Sequence, residues 1–451
     1  MSLKSQTLQA QIKFGMIELP RDLGDGLVLR TATLADVEPL AKFNGDVFGR
    51  DHFDEIAAMF TREYITAHPA VGPSNVFIVE DTRAASRKIV STMLLIPQTW
   101  TYAGIPFGVG RPEMVATDPA YRRRGLVREQ FDTLHALSAA MGHAAQGITG
   151  IPYFYRQFGY EYALDLGGGK LVTFDAIPAL KPDEAEPYRL RAMTHDDLTF
   201  ALALYARDGT RSLVACPRTE AYWRYLLDVS PDSYVKCPYN IIENAEGRAV
   251  GYIATSRELG MNEWYGTFEF AVIEGQSLRA VLPSVLRALK AMALDESKKQ
   301  NKPVKGIYLN LGHAHPAYEA MPDLPTRSRS VYGWYIRVAD VVGFINHIAL
   351  ALEANLQRSA FAGHTGEIKI NEYRDGMRVI LDQGHVRAET WQPIEHEADA
   401  GFPPRVFLQL LFGRHSMAEL REVYPDAWAK DDAWFLLDAL FPKRNSFVIP
   451  V

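Results

Sequence analysis

Apolar residues fall into two regimes along the chain, short β-branched runs and longer segments with helical spacing. VFIVED at 76–81 and IVSTMLLIPQTW at 89–100 predict strands, and FGVGRPEMVAT at 107–117 predicts a third. Beyond Pro119, the residues Val127, Phe131, Leu134, Leu137 and Met141 recur on one helical face and predict a helix of about 14 residues. LVLRTATLADVEPLAKF at 27–43 predicts a strand, a turn, and a helix opening near Thr33, with Asp36 placed three residues on as in a capping box. YRLRAMTHDDLTFALAL at 188–204 repeats that arrangement, pairing Leu29 with Leu190, Arg30 with Arg191, Thr33 with Thr194 and Asp36 with Asp197. The recurrence predicts two similar domains in tandem.

Between the copies, AIPALKPDEAEP at 176–187 carries three prolines and an acidic cluster and predicts a linker. The second unit has strand patterns at 239–257 and 264–273 and a helix at 278–294. Past it, WYIRVADVVGFINHIALALEANL at 334–356 predicts a strand leading into a long amphipathic helix, and 366–383 a hairpin turned at Arg374-Asp375-Gly376. Helices follow at 402–413 and 431–442. The expected organisation is therefore α+β, divided into residues 1–180, 181–325 and 326–451.

Length and charge narrow the function. At 451 residues the chain exceeds a single ordinary core. Its net charge of -6 argues against a nucleic-acid sleeve, while leaving room for a local basic pocket. Cys216 and Cys237 each precede a proline, with no CxxC spacing, so neither a disulfide scaffold nor a structural zinc site is expected. The first twenty residues contain no continuous apolar run of the export type, and VVGFINHIALAL at 341–352 is too short and interrupted to span a bilayer. A cytoplasmic protein is expected, and assembly into a homo-oligomer is left open.

Candidate chemistry concentrates in DPAYRRRGLVREQF, 118–131. Three arginines run into Gly125 at the mouth of the predicted helix. Cations there oppose the helix dipole, so the cluster suits an anion held by helix-start amides. Arg122, Arg123, Arg124 and Arg128 surround that point, and Gly125 lets a phosphate approach the main chain. The loop has neither Walker A nor GxGxxG spacing. Glu113 precedes it on a strand and, by simple alternation, shares a face with Val115 and Thr117. It can accept an amine proton; the alternative is an ion pair with Arg111. Tyr153, Phe154, Phe158 and Tyr160 are expected as core or pocket lining. His313 and His315 have an HxH spacing but no third ligand nearby, and His135 and His143 are expected as satisfied helix-face histidines, so no metal is predicted.

The run MVATDPAYRRRGLVREQF, followed by a helix and FYRQFGY, resembles the acetyl-CoA-binding core of the GCN5-related N-acetyltransferases. Their motif Gln/Arg-x-x-Gly-x-Gly/Ala reads here Arg122-Arg123-Arg124-Gly125-Leu126-Val127, with Val127 where a small residue is usual. The domain order resembles the Eis-like (enhanced intracellular survival) acetyltransferases, which have a catalytic domain, a degenerate second copy and a C-terminal domain similar to sterol carrier protein. The resemblance implies acetyl-CoA as cosubstrate, its pyrophosphate on the amides of this loop and its pantetheine arm along Val115, Ala116 and Thr117. It also implies Tyr155 as general acid and a C-terminal carboxylate, here Val451, near the active site. The function so implied is direct transfer to a small primary amine, such as an aminoglycoside-like or polyamine substrate. Two other readings remain at this point, a carrier of lipids or hydrophobic ligands and a non-catalytic acetyl-CoA sensor.

Overall fold

The computed structural model describes residues 12–14, 17–49, 51–83, 87–229, 233, 236–260, 263–393 and 396–449. Two large mixed sheets, a five-stranded sheet and a two-stranded ribbon of 12–14 with 17–19 organise the described residues, and the mixed α+β class is as expected.

The two predicted copies begin alike. In the first, Arg30 in strand Leu27–Thr31 donates from both terminal nitrogens to Asp36 at 2.8 Å and lies 3.2 Å from Glu80 of the neighbouring strand. In the second, Arg191 in strand Tyr188–Ala192 donates to Asp197 at 2.7 Å and to Glu243 of its own neighbour at 2.7 Å. The Thr33 and Thr194 amides donate back to Asp36 and Asp197 at 2.7 and 2.9 Å, closing both capping boxes. An arginine, buried in the first lobe and half-exposed in the second, thus ties the first helix of each lobe to two strands, and the structural repeat extends the sequence repeat.

The nine-stranded first sheet runs in the order 21–24, 27–31, 76–81, 88–102, 105–117, 145–148, 332–337 and 161–166, with 214–215 added along the far end of 88–102. The seven-stranded second sheet runs 188–192, 239–244, 249–255, 264–272, 306–309, 169–173 and 326–329. The strands therefore cross the expected boundaries: the second sheet takes 169–173 from residues 1–180, and the first takes 214–215 from 181–325 and 332–337 from just beyond 325. Gly169–Thr173, which follows the last strand of the first lobe, pairs between 306–309 and 326–329. Tyr332–Arg337, which follows the last strand of the second lobe, pairs between 145–148 and 161–166. Gly169 begins its crossing strand at φ +145°, where a Cβ would collide with the Leu309 carbonyl oxygen. Trp334, Tyr335 and Ile336 are buried in the sheet they complete.

The third sheet, 385–390, 376–382, 366–371, 400–401 and 428–429, includes the predicted hairpin. The long helix expected over 341–356 is instead two helices, Val341–His347 and Ala349–Gln357, meeting at Ile348, whose φ of -95° and ψ of 10° leave the helical range. The core of this region is continuous with Trp100, Phe107 and Trp334 of the first lobe. Among the described residues no helix is long and apolar enough to cross a membrane, and both cysteines are free.

Candidate active site

Strand Ile105–Thr117 follows the hairpin partner Lys88–Tyr102 along its length, but it pairs with the parallel strand Ala145–Ile148 only at Val109 and Gly110. Beyond Gly110 the two parallel strands part, while 145–148 remains paired with 332–337. The edge of residues 111–117 that faces the gap has no ladder partner among the described residues. Its main-chain groups stay open to a ligand's amides.

A bulge interrupts this strand. Leu94 pairs with Glu113 and Thr92 with Ala116, so Met114 and Val115 together oppose Met93, and Met114 takes φ +53°. The extra residue breaks the alternation assumed from sequence. Val115 packs with Leu126, Phe131 and Tyr155 on the face of helix Leu126–Ala140. Glu113 shares the face of its partner Leu94, where Met114 and Ala116 pack against the helices Val37–Gly49 and Glu55–Thr66. Glu113 and Val115 thus lie on opposite faces, a correction with a local steric cause.

Helix Leu126–Ala140 starts at Gly125, which holds φ +79° and ψ 0°, a left-handed conformation that glycine adopts without strain. A Cβ there would meet nothing within 4 Å, so the space above the loop is open. The amide of Arg122 donates to Pro119, and those of Arg128 and Glu129 to Gly125. The intervening amides of Arg123, Arg124, Gly125, Leu126 and Val127 find no acceptor among the described residues. Gln130 anchors the helix from below: buried Ser91 Oγ donates to its Oε1 at 2.7 Å, and its Nε2 donates to the Phe77 carbonyl at 3.1 Å. Met141, placed on the apolar face by periodicity, caps the helix and is exposed.

The arginines divide in their commitments. Arg124 pairs with Asp25 at 3.0 Å and stacks over Tyr121. Arg128 lies over the Phe158 ring, and Arg122 Nε is 3.4 Å from the Thr117 carbonyl. Arg122, Arg123, Arg124 and Arg128 are exposed around Gly125. A linked pair of phosphates fits this chemistry, with donors from main chain and guanidinium and no carboxylate in the run from Arg122 to Arg128.

Tyr155 lies in the 3-10 turn Phe154–Phe158, with its ring buried against Phe131 and edge-on to Tyr335 at 5.4 Å. Its hydroxyl makes no hydrogen bond among the described residues. Burial, and after it the negative charge of Glu113, push the phenol above its ordinary pKa, so it holds its proton. Glu113 accepts from Arg111 Nη2 at 2.9 Å, the ion pair weighed as the alternative to a base. Arg111 is itself buried and stacks over Trp334, a residue of the strand donated by the second lobe. Trp334 Nε1 donates to the Val448 carbonyl at 3.0 Å, which brings the late chain to the same neighbourhood. Val451 lies outside the described residues. Arg111 is expected from the sequence only as an ion-pair partner of Glu113, and Trp334 and Tyr335 have no site role there, since both come from about 180 residues downstream of Tyr155 and only the strand exchange brings them near.

His135, His143 and His315 are otherwise engaged. His135 Nε2 bonds Tyr160 Oη at 2.9 Å and His143 Nδ1 bonds Ser138 Oγ at 3.0 Å. His315 Nδ1 accepts from the Ala317 amide and its Nε2 reaches the Phe270 carbonyl at 2.9 Å, using both ring nitrogens. No group of three metal-ligating side chains occurs among the described residues.

The glycine-led helix start with free amides stands where the resemblance drawn above puts the pyrophosphate, and the family model for the acetyltransferase (GNAT) domain matches residues 28–163. This lobe is a GNAT acetyltransferase domain. The domain makes the chain an acyltransferase. Solved structures share the architecture over nearly their whole length. A probable N-acyltransferase from Enterococcus faecalis V583 is 14% identical, with a TM-score of 0.66 over 93% of this chain and 97% of that one. A GCN5-related N-acetyltransferase from Anabaena variabilis is 14% identical, with a TM-score of 0.63 over 94% and 99%. Eis1 from Mycobacterium abscessus is 15% identical, with a TM-score of 0.60 over 93% and 98%. No curated protein matches the chain. At these identities the likeness is one of fold, and it extends through all three regions of the chain.

Proposed function

We propose that the chain transfers an acetyl group from acetyl-CoA directly to a small primary amine. The observation that supports this reading most is the run of unpaired amides from Arg123 to Val127 beside the splayed strand. The amides hold the cosubstrate's pyrophosphate, and the open edge at Val115, Ala116 and Thr117 holds its pantetheine amides. The thioester then lies in the gap between the parting strands, near Tyr155. The amine approaches from the Glu113 face, so donor and acceptor meet through the sheet. Nitrogen attacks the thioester carbonyl, the carbon–sulfur bond breaks, and the Tyr155 phenol gives its proton to the departing thiolate. The proton lost from nitrogen goes to Glu113, directly or through water. Neither cysteine lies on the strand, loop or turn that form the site, which favours direct transfer over an acyl-enzyme.

The test is thiol release from acetyl-CoA in the presence of a broad panel of primary amines, alongside calorimetric binding of acetyl-CoA alone. Turnover with an amine supports the reading. Binding without turnover across the panel would favour a sensor, and absence of binding would overturn the cradle.

A further inference from the structure

A cavity of about 700 Å³ opens where the three regions of the chain meet, and none of its lining residues belongs to the strand and loop from Glu113 to Arg128. Helix Leu198–Gly209 contributes Tyr205, strand Trp264–Val272 contributes Phe270, and helix Ala349–Gln357 contributes Leu350 and Ala351. Leu311 and Phe447 add further apolar wall. Leu350 is 73% exposed at this cavity although it is a large aliphatic side chain. A single exposed leucine is ordinary, but one that lines a concave apolar space is positioned for a ligand.

The charges in the lining are unbalanced. Arg211, Arg218, Arg358 and Arg444 line the cavity against only Asp208 and Glu269. Glu269 is fully used, taking Arg218 Nη1 at 2.7 Å and the Tyr252 hydroxyl at 2.9 Å. Asp208 is held by Arg207 at 2.8 Å and Arg211 at 3.5 Å. Buried Arg218 has a second donor, Nε, with no hydrogen-bond partner among the described residues. Arg358 and Arg444 have no carboxylate partner among the described residues, and Arg358 is exposed at the solvent side. His315 adds no charge, because burial depresses its pKa to about 4. Apolar walls and uncompensated guanidinium groups in one lining suit a molecule with a hydrocarbon body and an anionic head. The same charges disfavour a cationic amine, so the acceptor of the transfer reaction does not enter here.

We propose that this cavity binds a single-chain amphiphilic carboxylate of medium length. Its chain lies along Tyr205, Phe270, Leu350 and Phe447, and its carboxylate pairs with Arg358 and Arg444. The site is formed between the lobes and is independent of the acetyl-transfer reading.

The experiment uses the full chain and the fluorescent carboxylate dansylaminoundecanoate, displaced in turn by dodecanoate, dodecanol and dodecylammonium. Dodecanoate should displace the probe at least about tenfold more tightly than the other two. Arg358→Gln with Arg444→Gln should weaken dodecanoate by at least about tenfold, while acetyl-CoA binding by the same sample is unchanged. Ala354→Trp, which fills the opening from an exposed helix position, should abolish probe binding with no loss of folding. Failure of the probe to bind, equal displacement by all three chains, or indifference to the arginine changes would each overturn the proposal. Because cofactor binding is read separately, that failure would leave the acetyltransferase reading standing.

Discussion

Replacing Tyr155 with phenylalanine separates catalysis from packing more cleanly than any other single change. The ring is 4% exposed and keeps its edge-on contacts with Phe131, Phe154 and Tyr335 when only the hydroxyl is removed. That hydroxyl gives up no hydrogen bond to the described protein, so the stability change should stay within about 0.5 kcal/mol. If the phenol is the proton donor to the thiolate, the rate should fall by about 10²–10⁴, which corresponds to about 3–5 kcal/mol in the barrier. The assay is thiol release at saturating acetyl-CoA with the best amine of the panel, run beside calorimetric cofactor binding and thermal melting. Binding and melting temperature should be those of the unaltered protein. The pH profile carries a second signature. Burial and the charge of Glu113 raise the phenol, so Tyr155 should not produce a falling limb below pH of about 10. A Tyr155→Phe protein whose rate stays within about threefold of the original would refute the assignment, since so small a loss is below any general-acid contribution.

Gly125→Ala should cost about 1 kcal/mol in stability for its left-handed backbone and weaken acetyl-CoA at least about tenfold, by placing a methyl group over the free amides; unchanged affinity by calorimetry would move the cradle elsewhere. A fragment ending at residue 180 lacks the strand Tyr332–Arg337 that joins 145–148 to 161–166, so it should neither melt cooperatively nor bind acetyl-CoA, and a fragment that does both would show the donated strand to be dispensable. Burial, aided by Arg111, lowers His68 from 6.5 to about 4, and burial, aided by Arg337, lowers His135 to about 3. The unfolded chain therefore binds more protons than the native one below pH of about 6.5, so the stabilisation is complete above that pH and is lost as pH falls toward 4, on the order of 3 kcal/mol for His68. Melting temperatures should drop over that window and drop less in His68→Asn with His135→Gln; an identical pH slope in the double variant would show that other groups set it.

Local chemistry was legible in the sequence where one residue type fixes one backbone state. Gly125 marked the helix start because a left-handed residue is needed there, and Thr33 and Thr194 marked the two lobe beginnings because their caps are closed by residues three positions on. The acidic partners Glu80 and Glu243 could not be paired with Arg30 and Arg191, since strand neighbours are set by the sheet and not by spacing along the chain. The side of the strand on which Glu113 lies was misread because Met114 forms a bulge without a glycine to announce it. The break at Ile348 is hidden in a run whose apolar spacing suits one helix as well as two. The exchange of 169–173 and 332–337 leaves no local trace, because a strand's own pattern shows which faces are buried and not which neighbour it will find.

That reciprocal exchange has a consequence for how the protein comes into being. During synthesis the strand that packs against Tyr155 and underlies Arg111 leaves the ribosome only after the entire second lobe has been made. The first lobe, although earliest in order, cannot settle ahead of its sibling, and the two halves must mature as a single interlocked body. A chain interrupted before that strand would carry every reactive group of the proposed centre and still be inert, so any measured turnover would also report that translation ran at least through Arg337.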